Sequence, residues 1–404
     1  GANSCMNRNT PIAVTGIGCL CAAGENHKQC MDSLFAGRQH CAPPTRFSSS
    51  HPVTYPVFEI PDDFTLTGSG QKSEISRTAR LALSAAGEAF RNAGWSPAMM
   101  QEKRVGVCIG TTVGSTMNNE AFYREFCHGH HPAMNAIARF LNSNPAQVIA
   151  AEFGLKGPCQ TVVNACSSGT DAIGLGAFWI RSGICDAVVA GGADELCRVT
   201  YNGFISLMIT DESICRPFDA HRKGLNLGEG AAVLVLESED LCRARKQRAR
   251  ALSLSYGSAC DAYHLTAPDP DGSGLKQALS AALTACNKTA ADIGFINAHG
   301  TGTPNNDRVE SKVLYEMLPG VPFLSTKGYT GHTLGAAGAI EAAFAVACLE
   351  TQKIPASAGF TTPDPESPWS PVQNATHVNG SIAISQSLAF GGNNAVLVFE
   401  KGDT

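Results

Sequence analysis

The sequence predicts an α/β fold built on a buried, mainly parallel central sheet. Short apolar runs that read as strands alternate with longer amphipathic runs that read as helices. The strand runs are continuously apolar, as strands covered on both faces must be. A weak internal repeat points the same way. "ALSAA" occurs at 82–86 and again at 278–282, each time in an amphipathic helix followed by a Gly-ending strand, "VGVCIGTT" in one half and "IGFINAHGTGT" in the other.

Taken in order, the strands are expected at 12–18 (IAVTGIG), 104–110 (RVGVCIG), 161–165 (TVVNA), 186–192 (DAVVAGG), 231–237 (AAVLVLE), 295–300 (FINAHG), 382–387 (IAISQS) and 395–400 (AVLVFE). Helices are expected over 76–93, 170–182, 274–287, 305–318 and 335–351. Regions 40–75 and 355–380, rich in turn-forming residues, read as surface loops. No low-complexity linker separates the halves.

Composition narrows the function classes. The 404 residues are 44% apolar and only 16% charged, which suits a large core and a sparsely charged surface. A net charge of −5 gives no global basic footprint for nucleic acid. No membrane span is expected from the apolar runs, and the N-terminal stretch has no secretory pattern. Gly1–Cys5 ahead of Met6 read as an appended remnant. The 16 cysteines are scattered singly, with no CxxC pair, so buried free thiols in a reducing cytoplasm are expected.

Some motifs argue for little. "IAVTGIGCLCAAG" gives GxGxxC at 16–21 without an acidic residue at the ribose position, so a dinucleotide site is disfavoured. No GxSxG elbow occurs. "CHGHH" at 127–131 crowds its ligands too closely to close one tetrahedral site and reads as a solvated loop. "RARKQRAR" at 243–250 reads as a solvated basic face, with docking of an acidic partner as the functional option.

Three segments carry the chemistry: "NACSSG" with Cys166, "NAHGTGTPNND" with His299, and "STKGYTGHTLGAAGAIEA" with Lys327 and His332. Each places a titratable residue where an apolar strand meets a Gly-rich turn, the usual address of an α/β active site. Cys166 precedes a helix, whose N-terminal dipole is expected to favour thiolate. Two histidines and a lysine can assist a thiol nucleophile and polarise a carbonyl.

At these residues the chain resembles the β-ketoacyl-acyl carrier protein synthases of the thiolase-like superfamily, nearest the elongating condensing enzymes of type II fatty-acid and polyketide synthesis. The likeness runs through "TGIG", "ACSSG", "AGGADE", "CRPFDAHRKGLNLGEGAAVLVLE", "DAYHLTAPDPDG", "NAHGTGTPNND", "KGYTGHTLGAAGAIEA" and "LAFGGNNA", in family order. It implies two similar fused βα halves in a five-layered α-β-α-β-α core, with 6–253 carrying the nucleophile and 254–404 carrying both histidines.

It also implies a Cys166–His299–His332 triad supported by Lys327, and an oxyanion hole from the backbone N–H groups of Cys166 and Phe390. Phe390 doubles as a gate. Asp307, Glu310 and Glu341 take supporting acidic positions. Thr266, Val113, Gly391 and Gly392 belong to the substrate channel, with Val113 reaching toward a partner's acyl pocket and leaving room for longer chains. Lys72, Arg77 and Arg80 are the expected docking residues for an acyl carrier protein. The family needs no metal and no cofactor beyond carrier-borne phosphopantetheine, and it dimerises, either with a second copy or with a chain-length-factor-like chain.

His221, Lys223, Asn226, Ala389 and Asn393 depart from the family pattern, Ala389 standing for Gly and Asn393 for Thr. These departures favour a specialised polyketide or aryl-polyene-type enzyme. The rivals are a non-elongating scaffold chain, which would lack the cysteine, and a thiolase. A thiolase needs a second cysteine that "AFGGNNA" lacks, while His332 argues against the Cys-His-Asn initiating enzymes.

Overall fold

The computed structural model describes residues 9–64, 66 and 75–403. Its strands are β1 Ile12–Cys21, β2 Val105–Gly110, β3 Cys159–Val162, β4 Ala187–Asp194, β5 Gly230–Ser238, β6 Ala251–Cys260, β7 Ile293–Asn297, β8 Phe323–Leu324, β9 Lys353–Ile354, β10 Thr376–His377, β11 Ile382–Leu388 and β12 Asn393–Lys401. Ten of them form one sheet in the order β3-β2-β4-β5-β1-β6-β12-β11-β7-β8.

That order is the same five-strand pattern written twice. From the outer edge inward, the first half runs β3-β2-β4-β5-β1 and the second β8-β7-β11-β12-β6. Within each half the first two pairings are parallel and the next two antiparallel. The halves meet at the antiparallel seam of β1 and β6, where Ile12, Ala13 and Val14 face Ser253, Leu252 and Ala251. With four parallel and five antiparallel neighbours the sheet is mixed, not mainly parallel. An apolar run buried on both faces does not encode strand direction.

Helices stack the sheet into layers. Ser168–Arg181 and Ala337–Thr351 lie between the two half-sheets and touch strands of both. Arg77–Ala93 covers β1 and β5 from outside, and Ser273–Ala285 covers β6 and β12. Small residues permit this spacing. A Cβ on Gly18 would stand 1.8 Å from the carbonyl oxygen of Ala85, and one on Gly338 would stand 1.9 Å from Thr170 Oγ1, where the central helices meet. Leu334–Thr351 is long and apolar enough to cross a membrane by composition, but it is 89% buried as a core element.

Several expectations shift. The strand expected at 161–165 ends at Val162, and the one at 295–300 ends at Asn297. β6 was not anticipated, because ALSLSYGSAC hides its alternation in serines and small residues. The division at 253/254 therefore falls inside β6. Within the basic stretch 243–250, Arg245 binds buried Glu237 at 3.0 Å and Arg250 binds Glu350 at 2.6 Å, while Arg243, Lys246 and Arg248 are solvated.

Candidate active site

Cys166 sits on a sharp turn just past β3. Ala165 adopts φ +47°, an unusual conformation for a residue with a Cβ, and the helix Ser168–Arg181 starts two residues after the thiol. The Asn164 N–H donates to Ser168 Oγ at 2.8 Å, and Ser168 Oγ donates to the Ala165 carbonyl at 2.7 Å. Cys166 is 4% exposed.

His299 lies two residues past β7, and Lys327 and His332 lie past β8. His332 Nε2 stands 3.1 Å from Cys166 Sγ, and the two imidazoles meet edge-on with centroids 5.2 Å apart. Lys327 is buried behind them. Its ammonium donates to Glu341 Oε2 at 2.7 Å, to the His299 carbonyl at 2.7 Å and to His299 Nδ1 at 3.2 Å. Glu310 accepts the N–H groups of His299 and Gly300 and the amide of Gln386, each at 2.7 Å, which fixes the strand end. Asp307 accepts from the N–H groups of Phe218 at 2.7 Å and Gly302 at 3.1 Å.

These partners set the imidazole tautomers. Lys327 occupies His299 Nδ1, and the Leu334 N–H approaches His332 Nδ1 at 3.3 Å. Both rings therefore carry their proton on Nε2, directed away from these partners. Burial, then the charge of Lys327, holds both histidines well below the usual imidazole range, so they are neutral donors. Burial likewise pushes Glu341 up to about 7, against the pull of Lys327.

The thiol departs from expectation. Burial pushes Cys166 up to about 11, and the Lys327 charge and the Phe390 backbone N–H only partly offset it. With desolvation the largest influence, the resting group is a thiol.

Cys166, His299, His332, Phe390 and Thr266 line a cavity of about 230 Å³. Val113 lies apart from it and is 46% exposed, and Gly391 and Gly392 are not among its lining residues. Sequence reasoning missed Phe204, whose ring stacks on Phe390 with centroids 5.6 Å apart, and the tie between Asn394 and Asp261 at 2.8 Å. It also missed Asp171, whose only sequence signal is an acidic residue in the first turn of the nucleophile helix.

The docking residues divide. Lys72 lies outside the described residues. Arg77 is not free for a partner, since its guanidinium grips buried Glu229 at 2.7 Å. Arg80 opens onto a separate cleft of about 430 Å³ shared with Arg46, Arg77 and Arg139, and among the described residues its Nε has no hydrogen-bond partner. Among the described residues no group of three or more His, Cys, Asp or Glu is placed to hold a metal ion.

The departures sort by position. His221 and Lys223 are exposed. Asn226 is buried: its carbonyl accepts the His332 N–H at 2.7 Å while its side chain holds Cys215 N and the Ser213 carbonyl. Ala389 closes a turn with Asn393 through a 2.7 Å backbone bond and avoids positive φ, so a side chain fits there.

Comparison with known proteins agrees with this geometry. The family described as beta-ketoacyl synthase, N-terminal domain, matches residues 9–241, and the family's C-terminal domain matches 250–361. The chain is 32% identical to 3-oxoacyl-[acyl-carrier-protein] synthase 2 of Staphylococcus aureus over 98% of this chain and 99% of that one. It is 34% identical to the tetracenomycin polyketide synthase ketoacyl synthase alpha subunit of Streptomyces glaucescens, covering 94% and 95%. The solved ishigamide ketosynthase/chain length factor superposes with a TM-score of 0.91 at 31% identity, covering 97% and 99%. With a buried thiol and two imidazoles lining one cavity, a buried lysine behind them, and both family domains matched in order, this chain belongs to the beta-ketoacyl synthase family of acyltransferases.

Proposed function

We propose that the chain is an elongating condensing enzyme that joins an acyl group to malonyl-acyl carrier protein. Cys166 attacks a carrier-borne acyl thioester as its thiolate, and its proton passes to the departing carrier sulfur, so the carrier thiol leaves and an acyl-cysteine forms. Malonyl carrier then enters. Its C–CO₂ bond breaks, carbon dioxide leaves, and the electron pair becomes an enolate whose oxygen accepts the two Nε2–H donors of His299 and His332. The enolate carbon attacks the acyl-cysteine, the oxyanion meets the N–H groups of Cys166 and Phe390, and Cys166 departs to leave a 3-oxoacyl carrier.

One observation carries this reading. His299 and His332 line the same cavity as Cys166, with His332 Nε2 3.1 Å from the thiol and the two imidazoles edge-on. A scaffold chain has no use for that arrangement. Acyl carrier protein is the proposed partner, and no cofactor beyond its phosphopantetheine is invoked. A dimer, with a second copy or a chain-length-factor-like chain, follows from the likeness to a ketosynthase/chain length factor structure. The described cysteines are free thiols, which supports a cytoplasmic location.

The test is intact-mass analysis after incubation with a panel of acyl carrier proteins. An acyl adduct that disappears in Cys166→Ala, and a 3-oxoacyl product on adding malonyl carrier, are expected. No adduct from any donor, with or without a partner chain, would favour the scaffold.

A further inference from the structure

Asp171 gathers an unusual set of donors one turn into the nucleophile helix. Oδ2 accepts from Asn164 Nδ2 at 2.7 Å, from Ser167 Oγ at 2.8 Å and from Asn393 Nδ2 at 3.2 Å, while Oδ1 accepts from the Tyr256 hydroxyl at 2.5 Å. Asn393 Nδ2 also reaches Ser167 Oγ at 2.6 Å. Asp171 is only 8% exposed, so the four bonds replace most of its water.

The donors come from three separate places. Asn164 and Ser167 bracket Cys166. Tyr256 comes from β6. Asn393 begins β12, at the end of the loop that carries Phe390. Between Phe390 and Asn393 stand Gly391 and Gly392 at φ +88° and +86°, a joint that residues with a Cβ rarely form. Phe390 on one side of the joint turns its N–H toward Cys166 Sγ. On the other side Asn393 is tied down. Asparagine suits that post because its amide has two donors, one for Ser167 and one for Asp171, where the threonine usual in the family has a single hydroxyl proton.

We propose that Asp171 is a positioning residue that latches the Phe390 loop to the nucleophile turn through Asn393, fixing where the Phe390 N–H stands over Cys166. It does not touch the reacting atoms. It sets the geometry of one oxyanion donor and restrains the opening of the gate, and it rests on the condensing-enzyme reading of Cys166.

The experiment compares Asn393→Ala, Asn393→Thr, Asp171→Asn, the double variant Asp171→Asn/Asn393→Ala and Tyr256→Phe in the full chain. Loss of one oxyanion donor's alignment should lower kcat for condensation by roughly tenfold in Asn393→Ala, with KM for carrier substrates moved less than about twofold. An unlatched gate should raise the rate of Cys166 alkylation by iodoacetamide about threefold or more, and speed hydrolysis of the acyl-enzyme. Asp171→Asn should move both readouts the same way, and the double variant should be no worse than Asp171→Asn alone. Asn393→Thr, which keeps one donor, should fall between.

Tyr256→Phe removes a bond to the same carboxylate without touching the loop. It should lower Tm while leaving alkylation and kcat within about twofold of the parent. Additive losses in the double variant, a Tyr256→Phe effect equal to that of Asn393→Ala, or unchanged alkylation in Asn393→Ala would each overturn the latch. Alkylation needs no acyl donor. Failure of the acylation assay in the parent would therefore count against the condensing reading, while the alkylation rates still decide the latch.

Discussion

At the scale of the residue, the thiol's reactivity is set by burial opposed by a neighbouring charge. Burial keeps Cys166 protonated up to about 11, and the largest opposing influence is the Lys327 ammonium. Alkylation of the free enzyme by iodoacetamide should therefore climb steadily from pH 7 to 10 instead of levelling near neutrality. Lys327→Ala removes that charge, so its thiol should rise further and alkylate more slowly at every pH in that range. A plateau by pH 8 in the parent would show a thiolate already formed. Cys166, His299, Lys327 and His332 were legible in the sequence because their three segments each bring an apolar run to a Gly-rich turn. The thiol's high pKa was not, because desolvation belongs to the packed state and has no local signature. Asp171 was hidden for a related reason: its partners lie 7, 4, 222 and 85 positions away in the chain.

At the scale of the element, strands and helices buried on all sides declared themselves through unbroken apolar runs, and the long core helices were placed to within a few residues. β6 escaped because its serines pack within the fold: Ser253 is 2% exposed, and Ser255, 3% exposed, donates to the Ala282 carbonyl at 2.7 Å. A quieter tie joins β4 to the turn after His332. Asp194 accepts the Gly335 N–H at 3.0 Å and the Thr112 hydroxyl, and burial nonetheless raises it from 3.8 to about 7. A carboxyl that holds its proton longer folded than unfolded favours the native state below about pH 4, and that contribution is lost as pH rises through 7. Asp194→Asn carries no titration there. Its Tm relative to the parent should therefore rise between pH 5 and pH 8, by an amount corresponding to at most about 3 kcal/mol. A difference that stays flat across that interval would show that the ionised carboxylate is accommodated without cost.

At the scale of the molecule, the two ends of the ten-stranded sheet are finished differently. β8 is two buried residues, and the Val372 N–H covers its Phe323 carbonyl at 2.9 Å. Among the described residues β3 pairs only with β2; it leaves Cys159 and Gln160 exposed and leads into Val163, which is 64% exposed. Phe126, Met134 and Leu141 are similarly uncovered, at 64%, 61% and 68%. A bare edge that leads into an exposed apolar side chain is a place where a second chain adds a strand. Val113, exposed and away from the cavity, can restrict chain length only through a partner docked on such a surface. Val113→Phe should then slow turnover of long primers alone, and a uniform loss across primers would remove that role. The edge itself admits a direct test. Gln160→Lys combined with Val163→Lys would set like charges against an incoming strand, which is destabilising wherever they face each other. Light scattering should show the dimer giving way to monomer, with Tm depending on protein concentration in the parent and not in the variant. A dimer of unchanged mass would place the interface away from β3, and would detach Val113 from the partner's acyl pocket as well.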